Sequence, residues 1–360
     1  MINRNFWLSL CCLLLAFFPA IGCDRSANLD SFQQRQGKGL SLAYDLSGQI
    51  TAVRFETAPL TDADLQQLGE STVLRELSGN AAQVTEAGLA ALGGCSGLQS
   101  LQLTSCRLTE NAARSIGSLK ALTALTLTDA QELVSGHLSC FAELPKLLEL
   151  GLSGTAIDDA CVAQLPTAPL RSISLSRTQL TSSGVQALAA KYPTLEVILL
   201  DDVALDPAAV TAISQLQKLT DLSLSGCGLD DAAAAPLAAL PQLRVLNLSG
   251  NSALTDSVIR SFGAAAELRT LDVSGTQFTG AAFADSGFPN LSSLLADETQ
   301  VKGDALRSLK LPTLFSLSLN GCPLSLAEIR KVFAANDQTA VSFDAAPPAD
   351  GSGEKPEGQI

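Results

Sequence analysis

Nine cysteines, a single histidine and 36 acidic side chains are the groups with which this 360-residue chain could do chemistry. A hydrolytic triad or a histidine-based metal site needs imidazole, and His137 has no second histidine to join it. It sits in a helix-like stretch and reads as an exposed helix residue. HExxH, GxxxxGK[ST] and a strand-borne GxGxxG are all missing, so zinc hydrolysis, phosphate cradling and dinucleotide binding lack their parts. The expectation is a noncatalytic protein with no cofactor and no metal. One stretch, LPQLRVLNLSGNSALTDSVI at residues 240 to 259, does gather Arg, Asn, Ser and Asp around a strand, a turn and a helix. What those side chains do depends on the elements that carry them.

Composition narrows the class. Aromatic residues make up 4% of the chain, so its interior must be filled by Leu and Ala, which dominate a hydrophobic share of 46%. The formal net charge is -13 and the pI about 4.5, a balance that repels nucleic acid and anionic lipid headgroups. The first residues, MINRNFWLSLCCLLLAFFPAIGC, pair a short segment containing Arg4 with an apolar run from Phe6 to Pro19 and small residues before Cys23, as a secretory signal does. The run is short for a membrane span. Ala20-Ile21-Gly22-Cys23 resembles the bacterial lipobox, with Ala20 where the motif prefers Leu. That resemblance implies cleavage after residue 22, lipid on Cys23 and a lipoprotein anchored in the bacterial cell envelope, facing the periplasm or the exterior. An ordinary cleaved signal or an uncleaved anchor is the alternative.

The rest of the chain repeats itself. Apolar residues recur at Ile50, Leu74, Leu98, Leu122, Leu147, Leu170, Leu195, Leu219, Leu243, Leu268, Leu291 and Leu314, a spacing of 23 to 25 residues. A closing strand follows at Val341 and Phe343. Each unit reads LxxLxLxx, then a small residue, an apolar residue and Thr, Asp or Ser, as in LQSLQLTSCRLTE. This pattern resembles the leucine-rich repeat family, most closely repeats of the ribonuclease-inhibitor kind. The resemblance implies an α/β solenoid, a curved horseshoe with a parallel sheet on the concave face and short helices on the convex face.

The physical reading agrees. Alternation across LxLx makes a short strand. Thr61, Thr85, Thr109, Asp158, Thr181, Asp206, Asp230, Thr255 and Thr279 stand where a side-chain oxygen can cap a helix N-terminus. Beyond each cap, pairs such as Leu65 and Leu68 or Val185 and Leu188 give the helix one buried face. No unit can bury that face alone, so the units stack into one domain. The expected organisation is a signal peptide at 1–22, a lipidated polar tether at 23–38, the solenoid at 39–344 and a disordered tail at 345–360. Within the solenoid, Leu42 and Tyr44 belong to an N-terminal hairpin cap, twelve repeats follow, and a closing strand ends the array.

On this register Cys106, Cys227 and Cys322 share a position with Thr155, Thr178, Asn251, Thr276 and Thr299. The family resemblance implies that this position points inward, making the three cysteines structural. Cys106 and Cys227 lie five repeats apart, about 24 Å at strand spacing and far outside disulfide reach. Cys140 and Cys161, on adjacent helices, are the pair left open as a disulfide.

Function then falls to the outward positions of the sheet. Of 39 such positions, 18 are Ser or Thr and none is Phe, Tyr, Trp or His, so the wall has few of the anchors that dominate tight interfaces. Acids there, including Glu56, Glu76, Glu149, Asp201, Asp221, Asp272, Asp297 and Asp344, outnumber Arg54. The candidate partner-binding set is Val197, Leu199, Asp201, Asp221, Val245, Asn247 and Asp272, in repeats seven to ten. The expected function is a membrane-tethered, monomeric scaffold that binds a basic or extended protein on its concave face. The alternatives are a structural envelope spacer without a dedicated ligand and, from repeat style alone, an F-box-like substrate receptor in ubiquitin transfer.

Overall fold

A computed structural model describes residues 30–285, 288–307, 313–333, 339–344 and 357–359, which form one 15-stranded sheet with its strands in sequence order. The strands are β1 (Leu40–Tyr44), β2 (Ile50–Phe55), β3 (Glu76–Asn80), β4 (Ser100–Thr104), β5 (Ala124–Thr128), β6 (Glu149–Gly151) and β7 (Ser172–Ser174). They continue as β8 (Val197–Leu199), β9 (Asp221–Ser223), β10 (Val245–Asn247), β11 (Thr270–Asp272), β12 (Ser293–Leu295), β13 (Ser316–Ser318), β14 (Ala340–Asp344) and β15 (Glu357–Gln359). β2 to β14 run parallel in the register read from sequence, so that Leu222, Leu246 and Leu271 stack directly on one another.

The leucine ladder is the core. Leu77, Leu101, Leu125, Leu150, Ile173, Ile198, Leu222, Leu246, Leu271, Leu294 and Leu317 are all buried, and the helices close over them with residues such as Leu65, Ile116, Val210 and Ile259. The inward small position is a second ladder. Thr155, Thr178, Thr276 and Thr299 donate to the carbonyls of Leu152, Leu175, Val273 and Ala296 at 2.6 to 2.8 Å. Cys227 and Cys322 do the same to Leu200 and Ala296 at 3.2 and 3.1 Å. Asn251 serves two repeats at once, its amide donating to Leu224 and Leu248 carbonyls at 2.8 Å each. These groups satisfy backbone oxygens that the three-residue strands leave over.

The helices are joined by acids as well as by apolar contact. Thr85 donates its backbone N–H and hydroxyl to Asp62 of the preceding repeat at 2.8 and 2.6 Å. The same two-pronged clasp joins Thr181 to Asp159, Thr255 to Asp231 and Thr279 to Asp256. The expected caps form at Thr61, Thr109, Thr181, Asp206, Asp230 and Thr255, each accepting from a first-turn N–H, whereas the Thr85 hydroxyl donates to Asp62 and accepts no cap bond.

The expected hairpin cap forms, and both ends carry more structure than their composition predicts. Asp30–Arg35, placed in the polar tether by its composition, is a helix whose Phe32 is 0% exposed and meets Phe55 edge to face at 6.2 Å. Arg35 covers both rings and pairs with Asp64, so the segment plugs the open end of the core. β1 pairs antiparallel with β2, with Leu42 opposite Val53. At the other end Glu357–Gln359, read as part of a structureless tail, pairs antiparallel with β14. The physical reason is the edge itself, whose unpaired N–H and C=O groups will take any strand within reach. Residues 1–29, with the signal and Cys23, and residues 345–356 lie outside the described residues.

Candidate interaction surface

Parallel pairing places the candidate side chains in rows across the concave face. One row runs Val197, Asp221, Val245, Thr270; the next runs Leu199, Ser223, Asn247, Asp272, Leu295. Asp201 stands two residues beyond β8, its N–H donating to Ser176 Oγ at 2.9 Å. All seven candidates are thus brought onto one patch, with Asp297 at its far side.

The patch is more internally bonded than the sequence suggests. Asp201 accepts from the Ser223 hydroxyl and from Ser225 N–H at 3.0 Å. Asn247 is 7% exposed, donating to Ser223 Oγ at 3.0 Å and accepting from Ser249 N–H at 2.9 Å. Asp272 is 9% exposed and accepts from Ser274 N–H at 2.9 Å. Asp297 takes Ser318 Oγ at 2.6 Å and Asn320 N–H at 2.7 Å. Read from sequence as outward contacts, Asn247 and Asp272 are instead buried, because a concave face crowds neighbouring side chains together. The apolar members Val197, Leu199, Val245 and Leu295 are half-buried.

Charge is the distinctive property. Among the described residues no Lys or Arg forms an ion pair with Asp201, Asp221, Asp272 or Asp297, although other acids do find partners: Arg54 pairs with Glu76 at 2.6 Å, Arg171 with Glu196 at 3.6 Å and Arg244 with Glu267 at 3.7 Å. Burial pushes the Asp272 carboxyl above its ordinary value, Asp297 and Asp201 push it further, and only Ser274 opposes. Burial also raises Asp221, against the Thr220 hydroxyl and the more distant Arg244. Glu149, also on this face, is raised by burial alone.

The cysteines lie elsewhere, and all but Cys140 are buried. Cys95, Cys106, Cys140, Cys161, Cys227 and Cys322 are all free thiols, including the pair left open as a disulfide. Burial pushes Cys106 up to about 11 and Cys227 and Cys161 up to about 12, the opposite of an activated thiolate. His137 lies in a 3-10 turn, Ser135–Phe141, and is half-buried rather than exposed, with Nδ1 unpartnered. No group of three or more His, Cys, Asp or Glu suited to a metal ion occurs among the described residues. The stretch at residues 240 to 259 resolves into support: Leu243, Leu246, Leu248 and Leu254 are core, Asn251 is ladder, and Thr255 caps its helix and clasps Asp231.

Comparison with known proteins follows the same line. The family model described as Leucine Rich repeat matches residues 168–189 and 215–238. No curated protein sequence matches the chain. Among solved structures, an internalin (inlF) of Listeria monocytogenes str. 4b F2365 superposes with a TM-score of 0.54 at 16% identity, covering 89% of this chain and 93% of that one. Yeast Rad7, in its complex with Elc1, gives a TM-score of 0.54 at 17% identity over 78% and 83% of the two chains. Mouse RP105, in its complex with MD-1, gives 0.53 at 19% identity over 79% and 56%. These identities speak for the fold. The chain has the leucine-rich repeat fold: two of its stretches match the repeat model, and its units stack into the α/β solenoid that these structures share.

Proposed function

We propose that this protein is a noncatalytic binding scaffold, tethered to a membrane of the bacterial cell envelope through lipid on Cys23, that captures a basic or extended protein segment on its concave face. Leucine-rich repeat folds commonly mediate protein–protein interaction, and similar folds occur in complexes with Elc1 and with MD-1. The observation that carries the reading is the patch formed by repeats seven to eleven. It holds four carboxylates without ion partners, two of them desolvated, beside half-buried Val197, Leu199, Val245 and Leu295. A partner's Lys or Arg would supply the missing countercharge while its apolar atoms cover the aliphatics.

The test is crosslinking mass spectrometry in native membranes, followed by capture with the variant Asp201→Asn, Asp221→Asn and Asp272→Asn. Neutralisation is preferable to charge reversal, because a lysine at the buried Asp272 position would threaten the fold. The variant is expected to lose at least about tenfold in affinity, a loss that shrinks as salt rises, and to unfold no more easily than wild type. Capture by the neutralised protein at full strength would overturn the reading. The internal bonding of the wall favours a second reading, a structural spacer: a chain of Asp201, Ser223 and Asn247 satisfies itself without any ligand. That reading gains if no protein crosslinks reproducibly to the concave face.

A further inference from the structure

The hairpin between β1 and β2 ends in a turn that displays an apolar side chain to solvent. Asp45 organises it: its carboxylate accepts from Ser47 N–H at 2.8 Å, Ser47 Oγ at 2.7 Å and Gln49 N–H at 2.9 Å, while Gly48 N–H returns to the Asp45 carbonyl at 3.0 Å. Gly48 takes φ +82, which a side chain would disfavour. These bonds leave Leu46 fully exposed at the apex, and Tyr44 next to it is 41% exposed, with its hydroxyl bonded to Gln36 at 3.0 Å. Among the described residues only Val134 and Phe315 are other large apolar side chains so exposed, and neither shares this end of the molecule.

The position of the turn suggests its occupant. If Cys23 carries lipid, six residues separate the anchor from the helix starting at Asp30, and the seven Cα-to-Cα steps reach about 25 Å at most. That helix runs directly into Gln36, the residue bonded to Tyr44. The N-terminal cap is therefore held close to the bilayer surface, with an aliphatic tip and an amphipathic tyrosine beside it, the pair suited to the headgroup and acyl boundary.

We infer that Leu46 and Tyr44 rest in the interface of the bilayer that holds the chain's own anchor, fixing the solenoid in one orientation relative to the membrane. The inference rests on the lipoprotein reading above. The Asp45 carboxylate, held low by its hydrogen bonds to Ser47 and Gln49, stays charged at neutral pH and limits the contact to the interface. The acidic surface of the chain opposes anionic lipid, so zwitterionic headgroups suit the tip best.

The only tryptophan, Trp7, lies within the signal, which gives the test a clean reporter. L46W and, as a control at the far end of the stack, F315W are purified from membranes and reconstituted into phosphatidylethanolamine-rich vesicles with and without brominated acyl chains. A side chain about 5–10 Å into the interface should lose roughly half its emission to bromine, and F315W almost none. The mass of the N-terminal peptide is measured on the same material. An unmodified Cys23 would overturn the tether on which the inference rests. A lipidated Cys23 with L46W quenched no more than F315W would overturn the membrane contact alone. Emission from L46W that shifts to the blue with protein concentration, without quenching, would assign the tip to a second copy of the chain and overturn it equally.

Discussion

At the scale of single residues, Asp272 shows how the wall trades stability for a chemical property. Its folded pKa lies above the ordinary aspartate value of 3.8, so the native state binds the proton more tightly than the unfolded chain does. Stability contributed through this group therefore falls as pH rises through the raised value, and the charged form is a cost at neutral pH. Asp272→Asn keeps the oxygen that accepts from Ser274 and removes the charge. The expected outcome is a higher Tm at pH 7, with the difference from wild type vanishing as the pH falls below 3.8, where both states are protonated. Calorimetry across that range checks it, and a lower Tm at pH 7 would mean that Asp272 has a stabilising partner. Asp221 and Glu149 follow the same sign. The identity of these positions was legible in the sequence, since outward residues alternate with the leucines. Their burial was not, because it depends on how tightly curvature presses Asn247 and Asp272 against their neighbours.

At the scale of elements, the acids divide into two populations that composition alone merges. Asp62, Asp231 and Asp256 open helices, Asp159 lies in the turn before one, and all four clasp the Thr of the next repeat, so a share of the negative charge is mortar. The strands and caps were readable from period and residue type, whereas this clasp was hidden because its partners are 22 to 24 residues apart and each looks like an ordinary cap. Helix length was also less legible: Pro236 and the Gly and Ser around His137 turn two expected helices into tighter 3-10 segments. Asp256 is the most buried clasp and also accepts from Ala282 N–H at 2.9 Å. Asp256→Ala should cost about 1–3 kcal/mol, because three donors lose their acceptor in a dry setting. Denaturant titration measures it; Asp62→Ala, on an exposed clasp, should cost less. Two further acids in the rows at the helix starts, Glu86 and Asp158, have lowered pKa values through Thr109 and Ser135. Their contribution is fully present above the ordinary carboxylate values and is lost as pH falls through the lowered ones, so these acids feed the acid limb of stability and the raised wall acids do not.

At the scale of the whole molecule, equivalence between repeats allows fold and function to be separated. Every strand from β2 to β14 meets its neighbour in the same register, so excising one unit at matching leucines leaves a sheet that can close again. Removing residues 219–242 joins Lys218 to Leu243 and brings β8 beside β10. Removing residues 122–146 joins Ala121 to Leu147 in the same way. Both shortened chains should fold, with unchanged strand signal per residue in far-UV circular dichroism and a modestly lower Tm, because a solenoid loses one unit and one interface in each case. Capture should separate them. Loss of 219–242 takes Asp221 and Ser223 out of the patch and sets Val197 beside Val245, which should abolish binding; loss of 122–146 leaves repeats seven to eleven intact and should preserve it. Equal capture by the two deletions would place the partner elsewhere. A third deletion, of residues 30–55, tests the opposite property, because it strips the Phe32 plug and β2 from the end of the stack. It should expose Leu77 and the edge of β3 and yield aggregates, since the interior repeats stabilise one another only while both ends are closed.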